Sequence, residues 1–417
     1  MRRRLALPSA ALAASVLVIV PALPAAAAAS TWTSESDAAW SSATWTGGVP
    51  DSADDTITFA GGARSTYDLG VQTFASLTFT NEHVLANGGG SIELTDGLTV
   101  APSAAVQIEI LIEAGGDQTW TVGSGGSIAF PAQVEVDPSA DLVLDVDGEL
   151  RVTTGNLDGN DGACITTQGT GIVAFSSGGG AAGTCLGYPK GLVATGAETT
   201  FTPGAFLGGT DIVAAGGLVT GGSLADPATV RALSLVAGGT VSPGTSAGTD
   251  IGQLNLWGTS AWTGGTYLVD VNGTGDADRV YGVNQAISIT DTVLNVRLGA
   301  GPEVVPGDTW RIVDSDVAVT GQFVSSLGVP IADGDEFESN GRIYTLAYSD
   351  TAVDLLYVRV APTPSVPPVV PPVVPAAPTL PATGAEVPLP VGVLALAALL
   401  TGAGILLGRR RITGTRS

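Results

Sequence analysis

The chain has 417 residues, 13% of them charged and 44% hydrophobic, with 58 Gly, 25 Pro, 2 Cys, 1 His and a formal net charge of −23. That acidic balance excludes nucleic acid as an electrostatic partner. Two cysteines are too few for a cysteine-rich zinc module or an iron–sulfur cluster, and a lone histidine cannot build a His-rich metal site.

At the N-terminus, Arg2, Arg3 and Arg4 precede an apolar stretch from Leu5 to Val20, and the small-residue run Ala25 to Ala29 precedes Ser30. This order reads as a secretory signal peptide over residues 1–29, with the mature chain starting near Ser30. Residues 30–360 follow as short apolar–polar alternations, such as Leu77-Thr78-Phe79, Ile92-Glu93-Leu94, Val134-Glu135-Val136 and Leu254-Asn255-Leu256. Alternation with period two predicts half-buried strands. Their dense recurrence predicts a solenoid of about 18–24 residues per coil. Glycine clusters such as Gly88-Gly89-Gly90 and Gly221-Gly222 suit its corners. The expected fold class is all-β, a right-handed parallel β-helix (solenoid) over residues 30–360; tandem β-sandwiches are the alternative.

Within this region the chemistry-bearing residues are few. Cys164 and Cys185 stand 21 positions apart in an exported chain, a spacing of one coil, and a structural disulfide between neighbouring turns is expected. His83 is the only histidine, and no nucleophile elbow accompanies it, so a strand or loop role is expected rather than catalysis. Three acidic loops could offer oxygens to Ca²⁺: Asn156 to Asp161, Asp270 to Asp278, and Ile331 to Glu338. None completes an EF-hand, and solvated turns are the simpler account, so no cofactor and no metal site is expected. Asp54 and Asp55 are adjacent, which in a strand points them to opposite sides. Trp32, Trp40, Trp45, Trp120, Trp257, Trp262 and Trp310 could stack sugars, but most are expected in the core and ends of the solenoid.

From Ala361 to Thr379 the chain reads APTPSVPPVVPPVVPAAPT. Its prolines enforce extended polyproline geometry at about 3.1 Å per residue, a semi-rigid spacer of roughly 60 Å. The last segment, residues 380–417, holds Leu380-Pro381-Ala382-Thr383-Gly384, an apolar stretch over residues 389–408, and Arg409, Arg410 and Arg411. At about 1.5 Å per residue the apolar stretch matches a bilayer, and the arginines hold its end in the cytoplasm. Together the two end segments carry seven of the 16 basic residues and one of the 39 acidic ones, so the chain between them is more acidic still.

The C-terminal order resembles the LPxTG cell-wall sorting signal of Gram-positive surface proteins. That resemblance implies a sortase that cleaves between Thr383 and Gly384 and joins Thr383 to a peptidoglycan amine, leaving the membrane span transient. Further words stand in the β region: Thr44-Trp45, Gly47-Gly48-Val49-Pro50, Asp54-Asp55, Gly239-Thr240-Val241-Ser242-Pro243-Gly244, Tyr267-Leu268-Val269-Asp270-Val271 and Asp278-Arg279-Val280. These resemble the autotransporter-associated β-strand repeats of passenger domains, which implies a parallel β-helix serving as an adhesin or surface stalk. The chain departs from that family in having a sorting signal where an outer-membrane barrel would stand. Tyr188-Pro189-Lys190 is similar to the acceptor motif of sortase-polymerised pilins, and Lys190 is the only lysine, although the upstream Trp and Val pattern is missing.

The expected function is therefore that of a non-catalytic, wall-anchored surface protein, an adhesin or stalk. Its expected partners are a sortase, peptidoglycan, and a host or cell-surface glycan or protein. The alternatives are a β-helical glycan-active surface enzyme and a pilus subunit polymerised through Lys190.

Overall fold

The computed structural model describes residues 29–362, apart from 35, 63, 154–156, 160–162, 178–183, 186–187, 190 and 245–249. Residues 1–28 of the expected signal peptide (1–29), residues 363–379 of the expected spacer, the Leu380–Gly384 pentapeptide, the 389–408 stretch and Lys190 lie outside the described residues. No helix among the described residues is long and apolar enough to cross a membrane.

The alternating segments pair as expected of a solenoid, each with the segment one coil later and in parallel. One ladder runs through Ala29–Trp32, Thr56–Phe59, the end of Gly70–Phe79, the end of Gly90–Val100, Gln118–Val122, Asp141–Val146 and Cys164–Gln168. A second runs through Arg64–Tyr67, His83–Asn87, Ala105–Ile108, Ser127–Phe130, Glu149–Val152 and Ile172–Ser177. The third takes the first halves of Gly70–Phe79 and Gly90–Val100, then Leu111–Ala114, Val134–Val136 and Leu157–Gly159. All three faces continue beyond residue 190, where the long segment Glu198–Ala214 contributes to each in turn. Parallel pairing of successive segments is incompatible with tandem sandwiches, which are built from antiparallel sheets. The fold is an all-β parallel β-solenoid.

Strict alternation fixes what fills it. Ile57, Leu77, Leu98, Trp120 and Leu144 form one inward column in register, and Phe59, Phe79, Val100, Val122 and Val146 a second. All ten are at most 1% exposed. Phe59 and Phe79 stack at 4.6 Å with their planes 7° apart. Burying each such side chain contributes about 1.5–3 kcal/mol, so the core is one continuous stack of small identical gains.

Coil length keeps to the expected 18–24 residues in the early coils and exceeds it in the later ones. Ile57 pairs with Leu77, 20 residues on, and Leu142 with Ile165, 23 on. Later steps lengthen to 27 residues at Ser260 and Ile287 and 32 at Ile287 and Val319. The register of the strands is held by their inward columns, so extra residues are absorbed in the corners.

Both described ends are closed by antiparallel pairing that the period-two pattern does not announce. Ala29–Trp32 pairs antiparallel with Trp45–Thr46. Trp32, Trp40 and Trp45 cover the first coil, with Trp45 edge-on to Trp32 at 5.1 Å and to Trp40 at 5.2 Å. At the other end, Ala352–Val360 runs antiparallel along Thr309–Ser315, and Arg342–Tyr348 and Glu336–Ser339 extend that sheet. The Ser339 hydroxyl accepts the Val296 N–H at 2.9 Å, filling a ladder position on the last strand of the second face. Such caps remove the open edge that would otherwise template aggregation.

Candidate functional site

The acidic segments are not the solvated turns expected of them: Leu157–Gly159 and Glu336–Ser339 are strands, and Asp270 and Asp278 are buried. In Asp270–Asp278 the chain folds back so that the Asn272 amide oxygen accepts the N–H groups of Thr274 and Asp276 at 3.0 and 3.1 Å. Asp278 is fully buried; its two oxygens accept the Gly252 N–H at 2.9 Å and the Asp270 N–H at 3.0 Å. Asp270, 1% exposed, binds Arg297 through both oxygens at 2.9 and 2.7 Å. Burial raises the pKa of both acids, Asp278 well above the ordinary value, and Arg297 partly opposes the rise at each. Sealed from solvent, this pair ties neighbouring coils together rather than meeting a substrate.

In Ile331 to Glu338, Asp333 accepts the Tyr348 N–H at 2.9 Å and Glu336 pairs with Arg359 at 2.5 Å. The Asn156 to Asp161 loop lies outside the described residues in its side chains. Asp54 and Asp55 sit in a turn before Thr56–Phe59, not in a strand, and Asp55 accepts the N–H groups of Asp51 and Ser52 at 2.9 and 3.1 Å. Among the described residues no group of three or more His, Cys, Asp or Glu is arranged to hold a metal ion. A row of outward acids does exist: Glu93, Glu113 and Glu135 are in register on the third face. Burial raises the pKa of Glu113, and Glu93, Glu135 and Asp137 push it further in the same direction.

His83 belongs to the N-terminal cap. Its ring packs 4.5 Å from Phe59, and its Nε2 lies 2.8 Å from the Ser65 hydroxyl, which in turn accepts the Trp40 indole N–H at 3.1 Å. Cys164 is disulfide-bonded. Its in-register neighbours on the adjoining coils are Asp141 and Gly191, whereas Cys185 lies on Thr184–Cys185, antiparallel to Tyr188–Pro189. The cysteine spacing thus does not reflect one coil; Cys185 sits on a short hairpin inserted between coils, and its side chain is outside the described residues.

Six of the seven tryptophans are at most 9% exposed. Trp257 is the exception, 52% exposed beside Phe206 at 51%. Their rings meet at 5.5 Å and 83°, edge to face. Phe206 pairs in register with Thr229 and Thr229 with Asn255, so Trp257 belongs to the second coil along and reaches back over the intervening one. That intervening coil carries Arg231, whose guanidinium grips Asp211 through two bonds of 2.6 Å. On the strand that precedes Trp257, the buried Gln253 donates to the Asn255 amide oxygen at 2.6 Å and accepts from Arg279 at 2.9 Å. Leu254-Asn255-Leu256-Trp257 carried the signal for this site: continuing the alternation from inward Leu254 and Leu256 turns Trp257 outward with Asn255.

A groove of about 800 Å³ lies between Val293–Leu298 and Glu336–Ser339. Its rim includes Leu327, 87% exposed, and Val329, 58% exposed. No protein-family model matches the chain, and no match is found among curated proteins.

Proposed function

We propose that this chain is a non-catalytic surface protein, an adhesin or stalk, exported through residues 1–29 and attached to the cell wall by a sortase through Thr383. The observation that carries the reading is the order of four segments: a solenoid whose last strand ends at Val360, a proline-rich spacer over residues 361–379, the Leu380–Gly384 pentapeptide, and the 389–408 apolar stretch closed by Arg409, Arg410 and Arg411. Each segment has a physical part in that account. The spacer spans the wall, the pentapeptide supplies the scissile bond, and the apolar stretch with its basic end halts export while the sortase acts.

A right-handed coil sense belongs to the same proposal, because parallel crossovers in one sheet are right-handed in about 98% of cases. The sealed Asp270 and Asp278 favour the non-catalytic reading over a glycan-active enzyme. Pilin-type polymerisation is the second reading, favoured by one fact: Lys190 is the only side-chain amine available as an acceptor.

The test is cell fractionation of Thr383→Ala. Wild type is expected in the wall fraction and the variant in the membrane fraction; a variant that still reaches the wall would overturn the sorting reading.

A further inference from the structure

We infer that the Phe206–Trp257 corner is a carbohydrate-binding platform for a neutral pyranose chain; the inference rests on the surface-protein reading and names its ligand class. Two half-exposed aromatic rings on the outside of a solenoid whose other tryptophans are all buried need a reason. Exposed aromatic surface costs free energy unless something covers it. The rings stand nearly perpendicular, 5.5 Å apart, so one offers a flat face and the other a wall.

A pyranose ring has the matching shape: a flat face of C–H groups to lie on an aromatic ring and an edge of hydroxyls that needs donors and acceptors. Both are at hand beside the rings. Arg231 and Asp211 are only partly covered, with side chains 32% and 22% exposed, and fix each other in a planar, charge-neutral unit. Asn255, half-buried on the strand Gln253–Leu256, stands two positions before Trp257, which follows the end of that strand. Gln253, itself buried, holds the Asn255 amide oxygen and so fixes the orientation of that side chain.

Charge selects within the class. The patch has balanced polar groups in a protein of net charge −23, which repels uronates and other anionic polymers and leaves neutral sugars. A purely structural clasp would not need the exposure of the indole.

Trp257 also reports on its own site, because it is the one tryptophan that a quencher in solution reaches readily. The experiment titrates the mature protein with hexamers of β-1,4-linked N-acetylglucosamine, β-1,4-linked glucose and β-1,3-linked glucose, with oligogalacturonate as the anionic comparison. At least one neutral hexamer is expected to shift the emission to the blue, saturably, and to protect it from acrylamide. Phe206→Ala and Asn255→Ala, which both retain the indole, are expected to weaken that binding about tenfold. Trp257→Ala, followed by calorimetry, is expected to lose it while keeping the wild-type circular dichroism. The inference is overturned if no neutral hexamer protects Trp257, if oligogalacturonate binds as well, or if calorimetric binding survives Trp257→Ala. Wall anchoring is read separately by fractionation, so a protein that reaches the wall but binds no hexamer defeats this inference and leaves the anchoring proposal standing.

Discussion

The His83 Nε2 lies 2.8 Å from the Ser65 hydroxyl, inside a cage of aromatic rings that caps the first coils. Burial pushes the imidazole down from 6.5 to about 4, with the Gly61 carbonyl opposing the shift. The native cap therefore holds His83 neutral, while the unfolded chain protonates it below about pH 6.5. Its contribution is fully present above that pH and is lost as the pH falls through about 4. A difference of this size corresponds to at most about 3 kcal/mol. Urea unfolding of wild type and His83→Gln across pH 4–7 is expected to show a stability difference that narrows steadily on acidification. A difference independent of pH would contradict the buried neutral imidazole.

Asp278 behaves in the opposite sense. Its folded pKa is raised, so the stability it contributes is fully present below the ordinary carboxylate range and is lost as the pH rises through the folded value. Asp278→Ala leaves the Gly252 and Asp270 N–H groups without their acceptor, at a cost of about 1–3 kcal/mol each. The loss measured against wild type is expected to be larger at pH 5 than at pH 8.

The parts of this fold that were legible in the sequence are those set by the period of the strand. Alternation such as Ile92-Glu93-Leu94 announced the inward columns, and the solenoid with its buried tryptophans followed from it. The caps were not legible, because Trp32 and Trp45 pair antiparallel through tertiary contact rather than pattern. The spacing of the cysteines does not show the short antiparallel pairing that carries Cys185, and the adjacency of Asp54 and Asp55 does not show that a turn precedes the strand. The aromatic site was readable in part: strand parity turns Trp257 outward, but nothing local in Ala205-Phe206-Leu207 shows that Phe206 meets it two coils away.

Glu93, Glu113 and Glu135 stand one above another, and like charges directly opposed across strands destabilise a sheet. Glu113→Gln removes the central charge without changing shape. It is expected to stabilise the protein at pH 7 by about 0.5–1 kcal/mol, more in low salt than in high. A melting temperature that falls in the variant would show that mutual repulsion does not dominate the energetics of the row.

Gly191 begins the strand that pairs in parallel with Cys164–Gln168 and has φ +101°. A Cβ there would run into the backbone carbonyl of Asp211 on the next coil. Both the dihedral and the space therefore demand glycine, and Gly191→Ala is expected to cost about 3 kcal/mol or more. Gly275, also at positive φ (+88°), has open space around the same position, so Gly275→Ala should cost only the dihedral strain. Equal losses in the two variants, measured by denaturant unfolding, would show that the coil spacing at Gly191 is not the constraint.

The central claim is attachment to the wall through Thr383, and the most direct measurement is the mass of the protein released from purified walls by muramidase. The account predicts a single species starting near Ser30 and ending at Thr383 with a peptidoglycan fragment on its carboxyl group. A ladder joined by Lys190–Thr383 bonds would replace the monomeric stalk with a polymer, and a chain that still ends at Ser417 would contradict sortase attachment altogether.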